Sequence, residues 1–587
     1  MMPPFGPLLP LLFSAVSLFG LQGCASHDSI SVKNTPASFR GDNSGIDEAP
    51  RTEMGFSGPP PKSAAFVGLA LSGGGSRAAN FSLAVMEELN RMGLLEQVNA
   101  ISTVSGGSVA GAYFALHSDK INWPRARTLM VEDFITPWAM QTIRPDNLLR
   151  QFWTDFDRSD IMASVLDEKL FGGATFSNLG PVGPGRPKLF INATNANGKI
   201  GYSGVEGVRF VFDNTTVRMG LQSDIGAYPI ASAVMASAAF PGVFNRVTLE
   251  RFERPLDTGD DQPYRAKAQN PRQFIHLMDG GPADNLGIET LLEAAFSHFF
   301  VSADDLPSRE SGPCLLILAD AYQSESSPET ELKSDPRSAL DHFIDTDFFD
   351  SISVMLAQRR EDMLKALGIR DEVSPSAKLN SREILPSGLL GAFRQAIVNH
   401  GSRRTGTIDL YYRCRGGGPE PRECDMLPRF ASSVKSGVFT CKVWHLSLTD
   451  ISGTGSLDED NNLVYSEARR LSNLMVSHIV DRISTNFRLT GPNRCGPRVL
   501  QAAIYQAAAY LTRDLPSVKE ICDFSSEAGI VNVDVCMAPS RSQPDIVRIA
   551  VEPVSGLRQY APSEFTQTVE QPLECITDED FAARAEK

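Results

Sequence analysis

The sequence predicts an α/β fold: a mainly parallel sheet flanked by helices, followed by a helix-rich α+β C-terminal extension. Three observations carry this. Short, uninterrupted apolar runs, the pattern of strands buried on both faces, recur through residues 64–325. Stretches with helical spacing of apolar residues alternate with them, as in strand–helix–strand units. Past residue 325, long helical stretches replace the alternation.

The first run is Phe66-Val67-Gly68-Leu69-Ala70-Leu71. Glycines follow it, and a helix is expected from about Ala78 to Met92, with Phe81, Leu83, Val85, Met86 and Leu89 apolar. Val98–Val104 is the second expected strand, followed by a helix of small residues from about Val109 to Leu116. Further strands are expected at Lys188–Ala193, Phe274–Met278 and Leu315–Leu318. In the extension, residues 326–587, helices are expected over 340–367, 463–487 and 497–511, with strands at Ile408–Tyr412 and Val443–Leu448. Residues 522–587 read as a polar segment with two short β-like runs. No internal repeat is present.

Of 587 residues, 42 % are hydrophobic and 21 % charged, which fits a folded globular chain. Disorder throughout, collagen-like repeats and a polytopic membrane protein are excluded. The formal net charge of -15 argues against a nucleic-acid partner, which calls for a basic stripe. It also gives no electrostatic pull toward an anionic membrane. No cysteine–histidine spacing matches a zinc site, and neither metal nor cofactor is expected.

Residues 1–23 carry no charged side chain, and an apolar run from Leu8 to Leu21 leads into Gln22-Gly23-Cys24. With Pro3, Pro4 and Pro7 ahead of it and Pro10 inside, the run is a poor membrane span and reads as the hydrophobic region of a signal peptide. Leu21-Gln22-Gly23-Cys24 resembles the bacterial lipobox, which implies that Cys24 is acylated (palmitate among its chains) and becomes the mature N-terminus. Two features depart from that pattern: no Lys or Arg precedes the run, and Gln22 is bulky. The alternative is an ordinary secretory signal with an incidental cysteine. Residues 24–63, ending in Pro59-Pro60-Pro61, read as a flexible polar tether. The lipobox resemblance implies a lipid-anchored protein of the bacterial envelope. Ala25-Ser26 lack the Asp of the familiar inner-membrane retention signal, which favours the outer membrane.

There are nine cysteines. Setting Cys24 aside leaves an even number, as suits disulfides outside the cytoplasm. Cys414 and Cys424, flanking a Gly- and Pro-rich stretch, are the expected pair. Cys314, beside an apolar strand, is expected as a free buried thiol.

Three strings carry chemistry. Ser72-Gly73-Gly74-Gly75-Ser76-Arg77 lies between a strand and a helix, where backbone N–H groups can gather on a phosphate or an oxyanion. It is not a Walker A loop, because no Lys-[Ser/Thr] follows. Thr103-Val104-Ser105-Gly106-Gly107-Ser108 lies at the next strand-to-helix turn, the place of a nucleophile elbow. Ser105 follows the strand directly and is favoured as nucleophile. Ser108, with Gly106 before it and Ala110 after it, competes, and otherwise caps the following helix. Met278-Asp279-Gly280-Gly281-Pro282-Ala283-Asp284-Asn285 ends an apolar strand. There Asp279 is either a general base or part of an ordinary Asp-Gly turn.

In this order the three strings make the chain resemble the patatin-like phospholipase family, with Gly73-Gly74-Gly75-Ser76-Arg77 as its glycine loop, Thr103-Val104-Ser105-Gly106-Gly107 as its elbow and Asp279-Gly280-Gly281 as its acid element. Ala233-Val234-Met235-Ala236-Ser237-Ala238-Ala239-Phe240-Pro241-Gly242-Val243-Phe244 and Asn192-Ala193-Thr194-Asn195 resemble two further family blocks. The resemblance covers residues 65–325 and implies a catalytic domain over 64–325. It departs at Thr103, where the family has glycine. It implies a Ser–Asp dyad of Ser105 and Asp279, with the amides of Gly73, Gly74 and Gly75 receiving the oxyanion, and a phospholipid or other lipid ester as substrate. Arg77 then orients the loop or meets a lipid phosphate; it reads equally as an ordinary first-turn arginine.

Two other readings stand beside this one. An α/β-hydrolase with a Ser-His-Asp triad needs a histidine after the acid residue. His298, His342, His400, His445 and His478 qualify by order, though each reads better as structural. A non-catalytic envelope lipoprotein that binds lipid or scaffolds partners is the other.

Overall fold

The computed structural model describes residues 33–37, 65–197, 209–252, 273–300, 312–322, 347–369, 404–415, 423–426, 437–448, 456–457, 463–464, 515–541 and part of 501–513. In chain order the strands of its central sheet are β1 Phe66–Leu71, β2 Ala100–Val104, β3 Lys188–Asn195, β4 Arg209–Phe212, β5 Val247–Arg251, β6 Gln273–Met278, β7 Cys314–Asp320, β8 Thr405–Arg415, β9 Glu423–Met426 and β10 Gly437–Ser447. They run β9-β8-β10-β7-β1-β2-β3-β6-β5, with β4 paired to β3. The five central strands β10, β7, β1, β2 and β3 are parallel, and antiparallel strands close both sides. The fold is the expected mixed α/β with a mostly parallel centre.

Side chains of successive strand residues point to opposite faces, so an uninterrupted apolar strand feeds two cores at once. Val67, Leu69 and Leu71 enter one core, Phe66 and Ala70 the other. Helices used below are α1 Gly75–Arg91, α2 Gly106–His117, α3 Ile135–Thr142, α4 Pro145–Trp153, α5 Ile230–Ser237, α6 Ile288–Phe300, α7 Asp347–Ala366, α8 Leu515–Glu527 and α9 Val533–Arg541. α1, α2, α5, α8 and α9 contribute to the first core; α6 and the end of α7 to the second.

The sheet runs past residue 325: β10 pairs in parallel with β7, and β8 and β9 continue it outward. Arg513 reaches Glu88 at 3.6 Å, and Gln501 Nε2 donates to Asn80 Oδ1 at 2.7 Å, so late residues also dock on α1.

Several expectations are corrected. The described part of the polar C-terminal segment is helical, the second half of α8 and all of α9, with Cys522 and Cys536 buried. Leu463–Val464, expected to open a helix, pairs as a strand with Ser456–Leu457; the rest of 463–487 lies outside the described residues. Cys314 is not a free thiol but is disulfide-bonded to Cys441, joining β7 to β10, and a second disulfide joins Cys522 to Cys536. Cys414 and Cys424 are directly opposed Cα partners on β8 and β9, though their side chains lie outside the described residues. Cys24 and most of the expected tether also lie outside them. Among the described residues, no helix is long and apolar enough to cross a membrane.

Candidate active site

β1 and β2 are parallel neighbours, so the loops leaving their C-terminal ends meet. The first is Ser72–Gly74 and the second is the single residue Ser105. Their backbones touch: a side-chain carbon on Gly106 would sit 1.9 Å from the Gly75 carbonyl oxygen, and one on Gly107 would sit 2.5 Å from the Leu71 oxygen. Only glycine fits at both positions, because the first loop lies directly on the elbow.

Ser105 has φ 50° and ψ −120°, a conformation sparsely populated by any residue with a Cβ. Such strain costs about 1–3 kcal/mol and persists only where neighbours over-determine it. Here the Ser105 N–H donates to Ser237 Oγ at 2.8 Å, and Ser237 Oγ donates to the Asn192 carbonyl at 2.6 Å. Gly280 N–H donates to the Ser237 carbonyl (3.0 Å) and Asp279 N–H to the Ala239 carbonyl (3.0 Å). The end of α5 thus fastens the serine and the aspartate loop to one piece of backbone. The sequence gives Ser237 no role of its own, since its partner in the elbow is 132 residues away, a separation periodicity does not reveal.

The Ser105 hydroxyl lies near enough to the Asp279 carboxylate to favour its ionised form, and Gly281 N–H donates to Asp279 Oδ1 at 2.8 Å. Burial pushes the Asp279 carboxyl up to about 6, and the Gly281 N–H and the neighbouring Ser105 hydroxyl restrain the rise. A carboxylate beside a serine hydroxyl, titrating near neutrality, can accept a proton that a solvated carboxylate cannot. Asp284, in the same string, has another task. It accepts from Gly287 N–H (3.0 Å) and Glu289 N–H (2.8 Å), at the start of α6.

Ser108 is fully buried and its hydroxyl pairs with Ser237 Oγ at 2.9 Å. Its hydroxyl is thus closed off from solvent and engaged with Ser237, and Ser105 itself holds the N-cap position of α2. Thr103 keeps its place because Gly111 of α2 yields. A side-chain carbon at Gly111 would meet Thr103 Cγ2 at 2.4 Å, and Thr103 Oγ1 donates to the Phe190 carbonyl at 3.0 Å. The room a glycine would give at position 103 is supplied one helix turn further on.

In the glycine loop, Gly74 (φ 135°) is the N-cap of α1 and Gly75 its first residue; both are exposed. Gly73 N–H donates to the Asn285 carbonyl at 3.0 Å. Of the three amides expected to act together, Gly73's is thus committed within the protein. That leaves those of Gly74 and Gly75 at the positive end of α1. The Arg77 guanidinium folds back on the loop, 3.4 Å from where a side-chain carbon on Gly74 would lie.

His445 is on β10, three strands from β2 in the sheet order. At about 4.8 Å per strand this is roughly 14 Å, out of hydrogen-bond reach of Ser105. Its Nε2 lies 2.9 Å from Asp320 Oδ2 instead. His298 on α6 packs against Phe66, and His342, His400 and His478 lie outside the described residues. Among the described residues no group of three His, Cys, Asp or Glu side chains could hold a metal ion.

A cavity of about 790 Å³ opens beside the aspartate, lined by Ala239, Phe244, Arg246, Met278, Pro282 and Arg359 among others. Its lining includes the residue before Asp279 but neither Asp279 nor Ser105 itself. Trp138 of α3 packs edge-on against Phe244 at 5.4 Å. Beyond it α4 is inside out. Asn147 is buried, donating to the Gln141 carbonyl, while Leu148, Leu149, Phe152 and Trp153 face outward with Met140 and Ile143 beside them.

Residues 69–292 match the family model Patatin, the patatin-like phospholipases. Comparison with curated proteins gives no match. Among solved structures, human GIVD cytosolic phospholipase A2 with a methyl γ-linolenyl fluorophosphonate inhibitor is 12 % identical at a TM-score of 0.33, with 82 % of this chain and 60 % of that one covered. The chain spans under two thirds of that phospholipase. VipD from Legionella pneumophila is 13 % identical at a TM-score of 0.20, over 88 % of this chain and 93 % of that one. ExoU–SpcU from the type III secretion system of Pseudomonas aeruginosa is 13 % identical at a TM-score of 0.17, over 90 % of each chain.

Proposed function

We propose, from the match of residues 69–292 to the patatin-like phospholipase model, that the chain is a lipid acyl hydrolase cleaving carboxylic esters of phospholipids. Ser105 is the nucleophile and Asp279 its general base. The observation that carries this is the strained Ser105 beside the buried Asp279, a carboxyl pushed up to about 6. Ser105 Oγ attacks the ester carbonyl as Asp279 takes its proton. The amides of Gly74 and Gly75 receive the oxyanion, and the alcohol leaves with the proton. Water, deprotonated by Asp279, then releases the fatty acid and restores the serine. Arg77 steadies the loop.

The cavity beside Asp279 offers an apolar wall of Phe244, Met278 and Pro282 with Arg246 and Arg359 on it, which suits an acyl chain below a phosphate. The outward apolar face of α4, joined to that cavity through Trp138 and Phe244, is the side we assign to the lipid surface. Cys24 is the proposed acylation site, anchoring the domain in a bacterial envelope, on the outer membrane. Two disulfides are in keeping with a compartment outside the cytoplasm.

The test is hydrolysis of phospholipid vesicles and short-chain p-nitrophenyl esters by wild type, Ser105→Ala, Ser108→Ala, Asp279→Asn and His445→Ala. Activity is expected to vanish in the first and third variants and to persist with Ser108→Ala. Loss of nucleophilicity in His445→Ala alone, with Asp279→Asn active, would replace the dyad with a triad. No turnover by wild type on any ester favours a lipid-binding lipoprotein.

A further inference from the structure

Helix α7, Asp347–Ala366, lies outside the matched residues 69–292. Yet Leu356, Arg359 and Arg360, which share a face at i, i+3 and i+4, reach both loops of the site. Arg360 is 2 % exposed and its Nε donates to Asp320 Oδ2 at 2.8 Å, with His445 Nε2 2.9 Å from the same oxygen. Asp320 Oδ1 accepts from Tyr322 N–H at 3.0 Å, and the guanidinium lies 4.5 Å over the Tyr322 ring. Asp320 ends β7, the neighbour of β1. The next amide, Ala321 N–H, donates to Ser72 Oγ at 2.8 Å, and Ser72 N–H donates back to the Ala319 carbonyl at 3.1 Å. Ser72 is the residue from which the glycine loop springs.

On the other side, Arg359 Nη1 donates to the Pro282 carbonyl and Nη2 to Glu289 Oε1, both at 3.3 Å. Leu356 Cδ2 is 3.3 Å from where a side-chain carbon on Gly281 would lie. Gly281 supplies the N–H that holds Asp279 Oδ1.

We propose that α7 is a brace contributed by the extension: Arg360, through Asp320 and Ser72, fixes the glycine loop, while Arg359 and Leu356 fix the turn behind Asp279. Arg359, Arg360, Asp320 and Ser72 are thus positioning residues. The helix sets the separation between oxyanion amides and general base, and the reaction rate depends on a segment beyond the family domain. This rests on the Ser105–Asp279 reading for its kinetic consequence, but not for its structural one.

The experiment pairs steady-state kinetics on a p-nitrophenyl ester with hydrogen–deuterium exchange of the full chain, following peptides over 72–77 and 279–285. Arg360→Met is expected to lower kcat roughly ten- to a hundredfold with KM within about twofold, as small misplacements of reacting groups do. Exchange is expected to quicken in residues 72–77. Arg360→Lys, which keeps the charge, is expected to recover most of kcat. Arg359→Ala, a change at an exposed side chain, is expected to quicken exchange in 279–285 and not in 72–77, and it serves if Arg360→Met does not fold. Glu87→Gln is the control. It disrupts a buried ion pair with Arg127 twelve residues along α1 from Gly75, roughly 18 Å away. It is expected to lower Tm with kcat unchanged. The brace is overturned if folded Arg360→Met keeps both kcat and loop exchange within about twofold of wild type, or if Glu87→Gln loses as much kcat for the same loss of Tm. Should wild type hydrolyse no ester, the dyad reading fails, while the exchange measurements still decide the brace.

Discussion

Asp279 and Asp320 are two buried aspartates at strand ends, one on each side of the glycine loop, and they titrate in opposite directions. Burial alone pushes both up. Asp279 has only Gly281 N–H and the Ser105 hydroxyl against that push, and it stays at about 6. Around Asp320, the Arg360 charge and the His445 hydrogen bond overcome burial and hold the carboxyl well below the usual range. The difference is the guanidinium of Arg360 together with the imidazole of His445. Where a cation is supplied the aspartate becomes structure; where it is withheld the aspartate keeps an appetite for a proton. That is the condition a general base requires.

The largest effect separates the two roles directly. Asp279→Asn is expected to cut kcat roughly 10²–10⁴-fold, the usual worth of a general base. It is also expected to raise stability at pH 7.5. The folded pKa of about 6 exceeds the ordinary value of 3.8, so ionising Asp279 in the fold costs up to about 3 kcal/mol above pH 6, and the penalty fades as pH falls toward 4. Chemical denaturation of wild type and variant at pH 7.5 and pH 4 measures this. An inactive variant less stable than wild type at both pH values would make Asp279 a structural residue like Asp320.

Asp320→Asn is expected to behave in the opposite way, losing roughly 3–5 kcal/mol at pH 7, because the buried Arg360 then keeps only the part-exposed Glu361 as a charged partner. Asp320's contribution is present above the unfolded carboxyl pKa and is lost as pH falls through the depressed folded value. The gap between wild type and variant should therefore narrow in acid, in urea melts run from pH 7 down to pH 3. A gap that widens in acid breaks the comparison.

The pH dependence of turnover follows from Asp279 alone. The free base is needed, so kcat/KM is expected to fall about tenfold per pH unit below about 6 and to level off above it. Asp320 stays ionised throughout that window and contributes no inflection there. An inflection near the ordinary value of 3.8 would mean that burial does not act on Asp279 as the fold implies.

How far the sequence foretold all this depends on what kind of force was at work. Phe66–Leu71 was expected to the residue, because a strand buried on both faces must be apolar throughout. α1 and α2 begin three residues earlier than expected, at Gly75 and Gly106. Glycine is a poor helix former, but Gly106 opens α2 because the Gly75 backbone lies against it, and Gly75 opens α1 because its φ of 61° favours glycine. The three motifs were legible because each is local. Arg360 and His445 were not, since they meet Asp320 across 40 and 125 residues. The Cys314–Cys441 pairing, across 127 residues, was hidden for the same reason. α8 and α9 were hidden by composition, since only a few of their residues are buried in an otherwise polar stretch.

The smallest effect concerns the departure that most obscured the serine. Thr103 stands where glycine is expected, and the glycine that makes room is Gly111, facing it from α2. If the pair exchanges space and nothing else, Thr103→Gly leaves the elbow in place. Its kcat/KM is expected to stay within about threefold of wild type, because Ser105 is held by Ser237 rather than by Thr103. Stability is expected to fall by about 1–2 kcal/mol, from the lost bond to the Phe190 carbonyl and the freedom a glycine adds to β2. Gly111→Ala, by contrast, forces a carbon to 2.4 Å from Thr103 Cγ2 and should be the more damaging of the two. The double variant Thr103→Gly, Gly111→Ala should then recover much of what Gly111→Ala loses, since it restores the room on the other side of the contact. Additive losses in that cycle would mean that Thr103 and Gly111 do not share the space, and that the elbow tolerates its threonine for a reason outside this contact.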